Sequence, residues 1–204
     1  MLVSLTTFVI AATLVILLPG PDTLVVVRNL VRGGRRLAAR TVLGVLSGLT
    51  VWVVTAFLGL SAVLRASHDA YVGLRIVGAI YLVYVGVRSL RSDAGLGAAS
   101  TAPSRRLLGT GYTAGLFTDL LNPKVGVFFV TFLPSFVPRG YSVAWTSLLF
   151  GVIFVVLTAA YFALLLTAAR PVVRWIGDSR LRRRIDRCTG VVLIGLGIRL
   201  ALEP

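Results

Sequence analysis

The chain carries one cysteine and one histidine, Cys188 and His68, in 204 residues. A lone cysteine excludes an internal disulfide framework, and one cysteine with one histidine excludes a Cys/His metal cluster. Acidic residues are scarce, seven Asp and Glu against 21 Lys and Arg, and all charged residues together make up 14%. An average soluble domain has about 25%. The polar surface needed to cover a soluble fold of this length is missing. In its place stand 57% hydrophobic residues and a mean hydropathy of +0.92. The composition predicts an all-α membrane protein with no soluble globular domain.

Uninterrupted apolar runs set the number of spans. Arg40 and Arg65 bracket 24 uncharged residues, 41–64, and Arg139 and Arg170 bracket 30, 140–169. A crossing helix needs about 20 residues at 1.5 Å each, so each run crosses once. Residues 1–21 are uncharged, and an apolar run continues behind Asp22 to Val27, which predicts a first span over 5–27. That span does not read as a cleavable signal. It lacks a basic n-region, and Pro19-Gly20-Pro21 stands where a small-residue cleavage site belongs. The same length rule predicts spans over 70–90, 107–133 and 188–202. In the last, only 11 uncharged residues separate Arg187 from Arg199, so Arg199 has to snorkel. The expectation is six transmembrane helices in a single transmembrane domain, 1–204, with five spans and a half-inserted end as the rival.

The basic residues follow that layout. Arg28, Arg32, Arg35, Arg36 and Arg40 fall between spans 1 and 2, and Arg88, Arg91, Arg105 and Arg106 between spans 3 and 4. Arg170, Arg174 and five more through Arg187 fall between spans 5 and 6. Sixteen arginines thus share one face, against Arg65, Arg75, Arg139 and Arg199 on the other. The positive-inside bias puts the sixteen in the cytoplasm of a bacterial inner membrane and both termini outside. Topology accounts for the +14 formal charge, and nucleic acid is not an expected partner. Segment 178–187, with Leu181 and Ile185 on one helical face, reads as an interfacial helix on anionic lipid.

The chain also divides in two. Residues 92–104 (SDAGLGAASTAPS) have the small, polar composition of a linker between repeat 1 (1–91) and repeat 2 (105–204). Gly20-Pro21-Asp22 in the first span of one half echoes Asn122-Pro123-Lys124 in the other. In the third spans Arg75-Ile-Val-Gly78 matches Arg187-Cys-Thr-Gly190, and Gly86-Val-Arg88 matches Gly197-Ile-Arg199 with one residue of slip. Three spans is an odd number, so the second repeat runs inverted. Inverted repeats with interrupted first helices are a transporter signature, with the site at the repeat interface.

The chemistry concentrates at the two breaks. Pro19-Gly20-Pro21 removes two backbone donors, so helix 1 must kink or unwind. Freed carbonyls are tolerated at membrane depth only where protein or a water-filled cavity satisfies them. Asp22 stands directly behind, and Asp119, Asn122, Pro123 and Lys124 surround the break in helix 4. Each ionisable group costs about 2.5–3.5 kcal/mol at a helix centre, so three facing lipid would cost on the order of 8–10 kcal/mol. They face inward. One reading is a polar cavity for a small zwitterion, with a carboxylate that takes up a proton. The other is structural: Asp22 caps the restarting helix, and Lys124 pairs with Asp119.

At these residues the sequence resembles the LysE/RhtB family of amino-acid exporters. The resemblance rests on LLPGPD at 17–22, the basic glycine-containing loop RNLVRGGRRLAARTVLG at 28–44, and LLNPKVGVFF at 120–129. It covers essentially the whole chain and joins a Pro-Gly-Pro break to an Asn-Pro-Lys break. It implies a secondary transporter that exports amino acids or their derivatives, driven by the proton gradient. The family's break residues correspond to Pro19, Gly20, Pro21, Asn122, Pro123 and Lys124; Asp22 and Asp119 join them on the physical grounds above. The implied partners are an amino-acid-like substrate, protons and the bilayer, with a homo-oligomer left open and no cofactor.

Other residues read as structural. Gly44 and Gly48, and Gly111 and Gly115, are small-xxx-small pairs suited to close helix packing. Ser47 has no partner histidine within the membrane, since His68 lies in the Ser67-His68-Asp69 loop, so a serine-protease centre is not expected. Tyr141, Trp145 and Trp175 read as interfacial anchors. Hydroxyls of Thr50, Thr55 and Thr158 are expected to bond their own helices. No nucleophile–base pair, metal site or nucleotide loop marks an enzyme. The alternative to an exporter is an accessory subunit or membrane enzyme whose polar breaks are structural. Reporter fusions at the C-terminus test the topology: a periplasmic reporter should be active there and a cytoplasmic one silent. The reverse result would mean five spans or a re-entrant sixth.

Overall fold

The computed structural model describes residues 1–66, 68–91, 109–138, 140–168 and 179–202. The linker 92–104 lies outside them, as do Arg105, Arg106, Arg139, Arg170, Arg174, Trp175 and the side chains of Leu181 and Ile185. All regular structure among the described residues is helical: α1 (Leu2–Leu17), α2 (Pro21–Ala66), α3 (His68–Arg91), α4 (Tyr112–Leu120), α5 (Pro123–Val127), α6 (Val143–Thr167) and α7 (Ser179–Leu202). A π-turn over Phe128–Phe132 and a 3-10 turn over Leu133–Phe136 follow α5. Pro21–Gly59 and Val143–Thr167 are long and apolar enough to cross a membrane, and Leu2–Leu17 and Gly190–Leu202 are shorter apolar helices.

Both proline motifs break their helices where expected. Leu18, Pro19 and Gly20 separate α1 from α2, and Leu121 and Asn122 separate α4 from α5. The basic segment 28–40 departs from expectation. It is two helical arms meeting at a corner, and only Gly33 and Gly34 leave helical geometry. Gly34 has φ +67°, a conformation open to glycine at little cost, and the Arg, Leu and Ala on either side are good helix formers. The second arm of α2 therefore starts near residue 35, well before the expected 41.

Backbone contact through glycine packs the helices in pairs. A Cβ on Gly44 would collide with the Tyr112 carbonyl and stand 2.7 Å from the Leu116 nitrogen; one on Gly115 would collide with the Thr41 carbonyl. Thus α2 and α4 touch main chain to main chain, as the small-residue spacing predicted. The α3–α7 pair repeats the device: Gly86 packs on the Gly190 carbonyl, Gly190 on the Gly86 carbonyl, and Gly197 on that of Ala79. Phenylalanines fill the middle. Phe8 stacks on Phe150 at 4.5 Å, Phe128 lies 4.8 Å from Phe154, and Phe136 meets Phe8 edge-on at 5.5 Å.

Two long contacts fix the ends. Arg35 donates to the Thr167 carbonyl at 3.3 Å, joining the Gly-Gly corner to the end of α6. The exposed Arg199 guanidinium lies 5.0 Å over the Phe136 ring, a cation–π contact between α7 and the segment after α5. Glycine contact makes a paired prediction for thermal denaturation in detergent. Gly44→Ala should lose about 1–3 kcal/mol, because the obstructing atoms are backbone. At Gly59 nothing lies within 4 Å of an added Cβ, so Gly59→Ala should gain about 0.5–1 kcal/mol. Equal effects at the two positions would refute the packing account.

Candidate functional site

The proline break in α1 has a definite electrostatic consequence. In a continuous helix the amide of residue 19 would bond the carbonyl of residue 15. Pro19 has no N–H, so the Val15 carbonyl loses its donor. Lys124 supplies one from the opposite break: its Nζ donates to the Val15 carbonyl at 2.8 Å and to the Leu18 carbonyl at 3.0 Å. Asn122 clasps the breaks in the other sense. Its Oδ1 accepts from the Lys124 backbone N–H at 3.1 Å and caps α5, while its Nδ2 donates to Asp22 Oδ2 at 2.7 Å. Pro123 repeats the logic of Pro19, since the Asp119 carbonyl loses its helical donor. That carbonyl accepts instead from the Asn122 N–H at 3.0 Å and from Trp52 Nε1 at 3.4 Å.

Each half thus reaches into the other. Pro19 and Gly20 form the first break and Pro21 opens α2; Asn122 and Pro123 form the second and open α5. A cavity of about 40 Å³ lies between them. Its polar wall is Asp22, Thr23, Asp119, Lys124, Thr158 and Tyr161, and Phe154 and Phe162 form part of its apolar wall. Gly20 also lines it, while Pro19, Pro21 and Asn122 shape the breaks from outside the lining. Of the sequence-derived residues, Gly20, Asp22, Asp119 and Lys124 therefore share one chamber.

Asp119 is completely buried, and neither carboxyl oxygen has a hydrogen-bond partner among the described residues. Asp22 Oδ1 is buried without a partner as well. The Lys124–Asp119 pair of the structural reading is not formed. Two main-chain carbonyls, groups invisible in a pattern of side chains, hold the ammonium instead. Asp22 bonds Asn122 across the interface through Oδ2, and its Oδ1 makes no capping bond among the described residues. Gly48 has a second role beyond packing: an added Cβ would stand 2.5 Å from Asp119 Oδ2, so the glycine leaves room for that carboxyl.

Sequence reasoning missed Thr23, Tyr161 and Trp52. The Tyr161 hydroxyl stands 3.5 Å from Thr23 Oγ1. A tyrosine deep in the apolar run 140–169 was the available signal, since a buried phenol needs a polar partner. Thr50 and Thr158 bond their own helices as expected, to the Leu46 and Phe154 carbonyls at 2.8 and 2.9 Å. Thr158 also faces the cavity. Ser47 bonds the Leu43 carbonyl at 2.9 Å, which fits no nucleophile.

A helical membrane chain whose ionisable side chains meet at two broken helices around an internal cavity belongs to the class of transporters. The family profile described as LysE type translocator matches residues 13–204, and the chain belongs to that family, whose members are transporters and not enzymes. The threonine efflux protein of Escherichia coli (strain K12) is 31% identical over 91% of this chain and 91% of its own. The leucine efflux protein of Salmonella choleraesuis is 24% identical over 96% and 93%. An uncharacterized membrane protein of Bacillus subtilis is 29% identical over 98% and 99%. No solved structure matches the chain.

Lys124→Met gives a test of the clasp. It keeps the bulk of the side chain and strands the Val15 and Leu18 carbonyls. Stability should fall by about 1–3 kcal/mol for each carbonyl left unsatisfied. Thermal unfolding in detergent reads this, and an unchanged midpoint would show that the ammonium does not hold the break.

Proposed function

We propose that the chain is a secondary exporter that moves an amino acid or amino-acid derivative out of the cytoplasm, coupled to the proton gradient. The observation that carries this reading is Asp119, a buried carboxyl without a partner, facing a cavity that also holds Asp22 and Lys124. A carboxylate left unpaired at membrane depth is costly, and binding a proton or a substrate ammonium removes the cost. The cavity therefore presents two acids and one ammonium, the complement of a zwitterion together with a proton. The relatives named for threonine and leucine efflux support an amino-acid substrate.

Cavity size sets a condition on the cycle. About 40 Å³ is room for roughly three waters, less than an amino acid needs. Admitting substrate requires the two breaks to part, and the Asn122–Asp22 bond and the Lys124 contacts are the ones that must yield. Export by this route is the opening of that clasp toward one side of the membrane and then the other.

The layout we propose is six spans in two inverted repeats within a bacterial inner membrane, with both termini outside. The crosswise clasp supports it, because Asp22 reaches Asn122 of the second break while Lys124 reaches Leu18 of the first. The contacts of Gly86 on Gly190 and of Gly197 on Ala79 are those that a pseudo-twofold relation produces, within one residue of slip. Arg35 at Thr167 and Arg199 at Phe136 each pair residues that this layout assigns to the same membrane face, which supports it.

Cells fed individual dipeptides, with the medium assayed for the liberated amino acids, test the export reading. Wild-type protein should raise the external level of at least one. Asp119→Asn and Asp22→Asn should bring it down to that of cells lacking the protein while membrane abundance stays near normal, because the neutral amide inserts at least as easily. Normal export by Asp119→Asn would sink the proton-carrier role. Loss of the protein from the membrane would make the acid structural. Export that appears only with a co-purified partner would favour an accessory subunit.

A further inference from the structure

The surroundings of Lys124 Nζ resemble an ion site more than a side-chain pair. Its hydrogen-bond acceptors are two main-chain carbonyls freed by helix unwinding, Val15 at 2.8 Å and Leu18 at 3.0 Å. The ammonium lies against Gly20, where an added Cβ would be in ordinary contact at 3.5 Å. Asp22, with its buried unpartnered Oδ1, lines the same chamber. Unwound carbonyls beside a carboxylate are the means by which broken transporter helices hold monovalent cations. Residue choice agrees. Lys124 is the chain's only lysine, and the other 20 basic residues are arginine. A compact ammonium suits a carbonyl cradle, whereas a planar guanidinium suits paired carboxylates and flat faces.

We propose that the first break is a monovalent-cation site whose occupant is the chain's own Lys124 ammonium, tethered where a free cation would otherwise bind. The lysine removes the need for an external ion at this position, so the site is filled at any sodium concentration. Removing the side chain should turn it into an open receptor for small cations able to donate hydrogen bonds to carbonyls. The inference does not rest on the export reading, because cation binding shows in stability as well as in transport.

Lys124→Ala tests it with a matched probe. The substitution deletes three carbons and the nitrogen, the atoms of n-propylammonium. Purified variant and wild type are melted, following tryptophan fluorescence, in rising n-propylammonium chloride, with choline chloride and 1-propanol as controls. Choline matches the charge on a bulky nitrogen that has no N–H to donate, and propanol matches the size without the charge. The expected result is a saturable rise of a few degrees for Lys124→Ala with propylammonium alone. Wild type, whose site is filled, and Lys124→Met, whose thioether occupies the space that propylammonium needs, should show no such rise. Should Lys124→Ala not survive solubilisation unaided, recovery of folded protein in propylammonium but not in choline reads the same binding. A response no larger than that to choline, an equal rise in wild type, or no recovery with either cation would overturn the proposal.

Discussion

The Val15 carbonyl, stripped of its helical donor by Pro19, is the constraint around which the centre of the molecule is arranged. In hydrocarbon an unsatisfied backbone group costs several kcal/mol, and water is absent to satisfy it. Here the donor comes from another helix, as the Lys124 ammonium. Because that lysine is the second residue of α5, the break in α1 dictates where the break in the second half must stand. Asn122 then serves both ends at once, capping α5 and holding Asp22. One missing N–H thus ties together residues separated by about half the chain.

Such a clasp forms only if the helices come close, and the glycines allow this. At Gly44 and Gly115 the main chains of α2 and α4 touch, and at Gly48 the missing side chain makes room for Asp119. The aromatic cluster around Phe8, Phe128 and Phe150 fills the core beside them. Packing and polarity therefore divide the interior: rings and glycines fix the helices, and the few ionisable groups are left around a small cavity. The π-turn over Phe128–Phe132, just beyond α5, is local irregularity of a kind often found next to functional sites.

Much of this was legible in order along the chain. Apolar runs between arginines marked the helices, and the two proline motifs marked the breaks, because a residue without an N–H interrupts a helix in any context. Cost at membrane depth identified Asp22, Asp119 and Lys124 as inward-facing, and all three line the cavity. The Gly-Gly corner was read as a loop, because good helix formers on either side of a glycine pair look alike whether they turn or wander. Tyr161 and Thr23 were passed over, since a hydroxyl in a span is as easily satisfied by its own helix as by a partner.

What the sequence determined by itself is the medium, the helical class, the position of both breaks and the identity of the charged groups that must be buried. Each follows from a property a residue carries with it: hydropathy, a missing donor, a charge. Partnership was decided only by the tertiary structure. Lys124 holds carbonyls and leaves Asp119 alone, and Asn122 crosses 100 residues to reach Asp22. A freed carbonyl has no signature in the one-letter code, because every residue has one. Which of them lies within 3 Å of an ammonium depends on how closely glycine lets the helices pack.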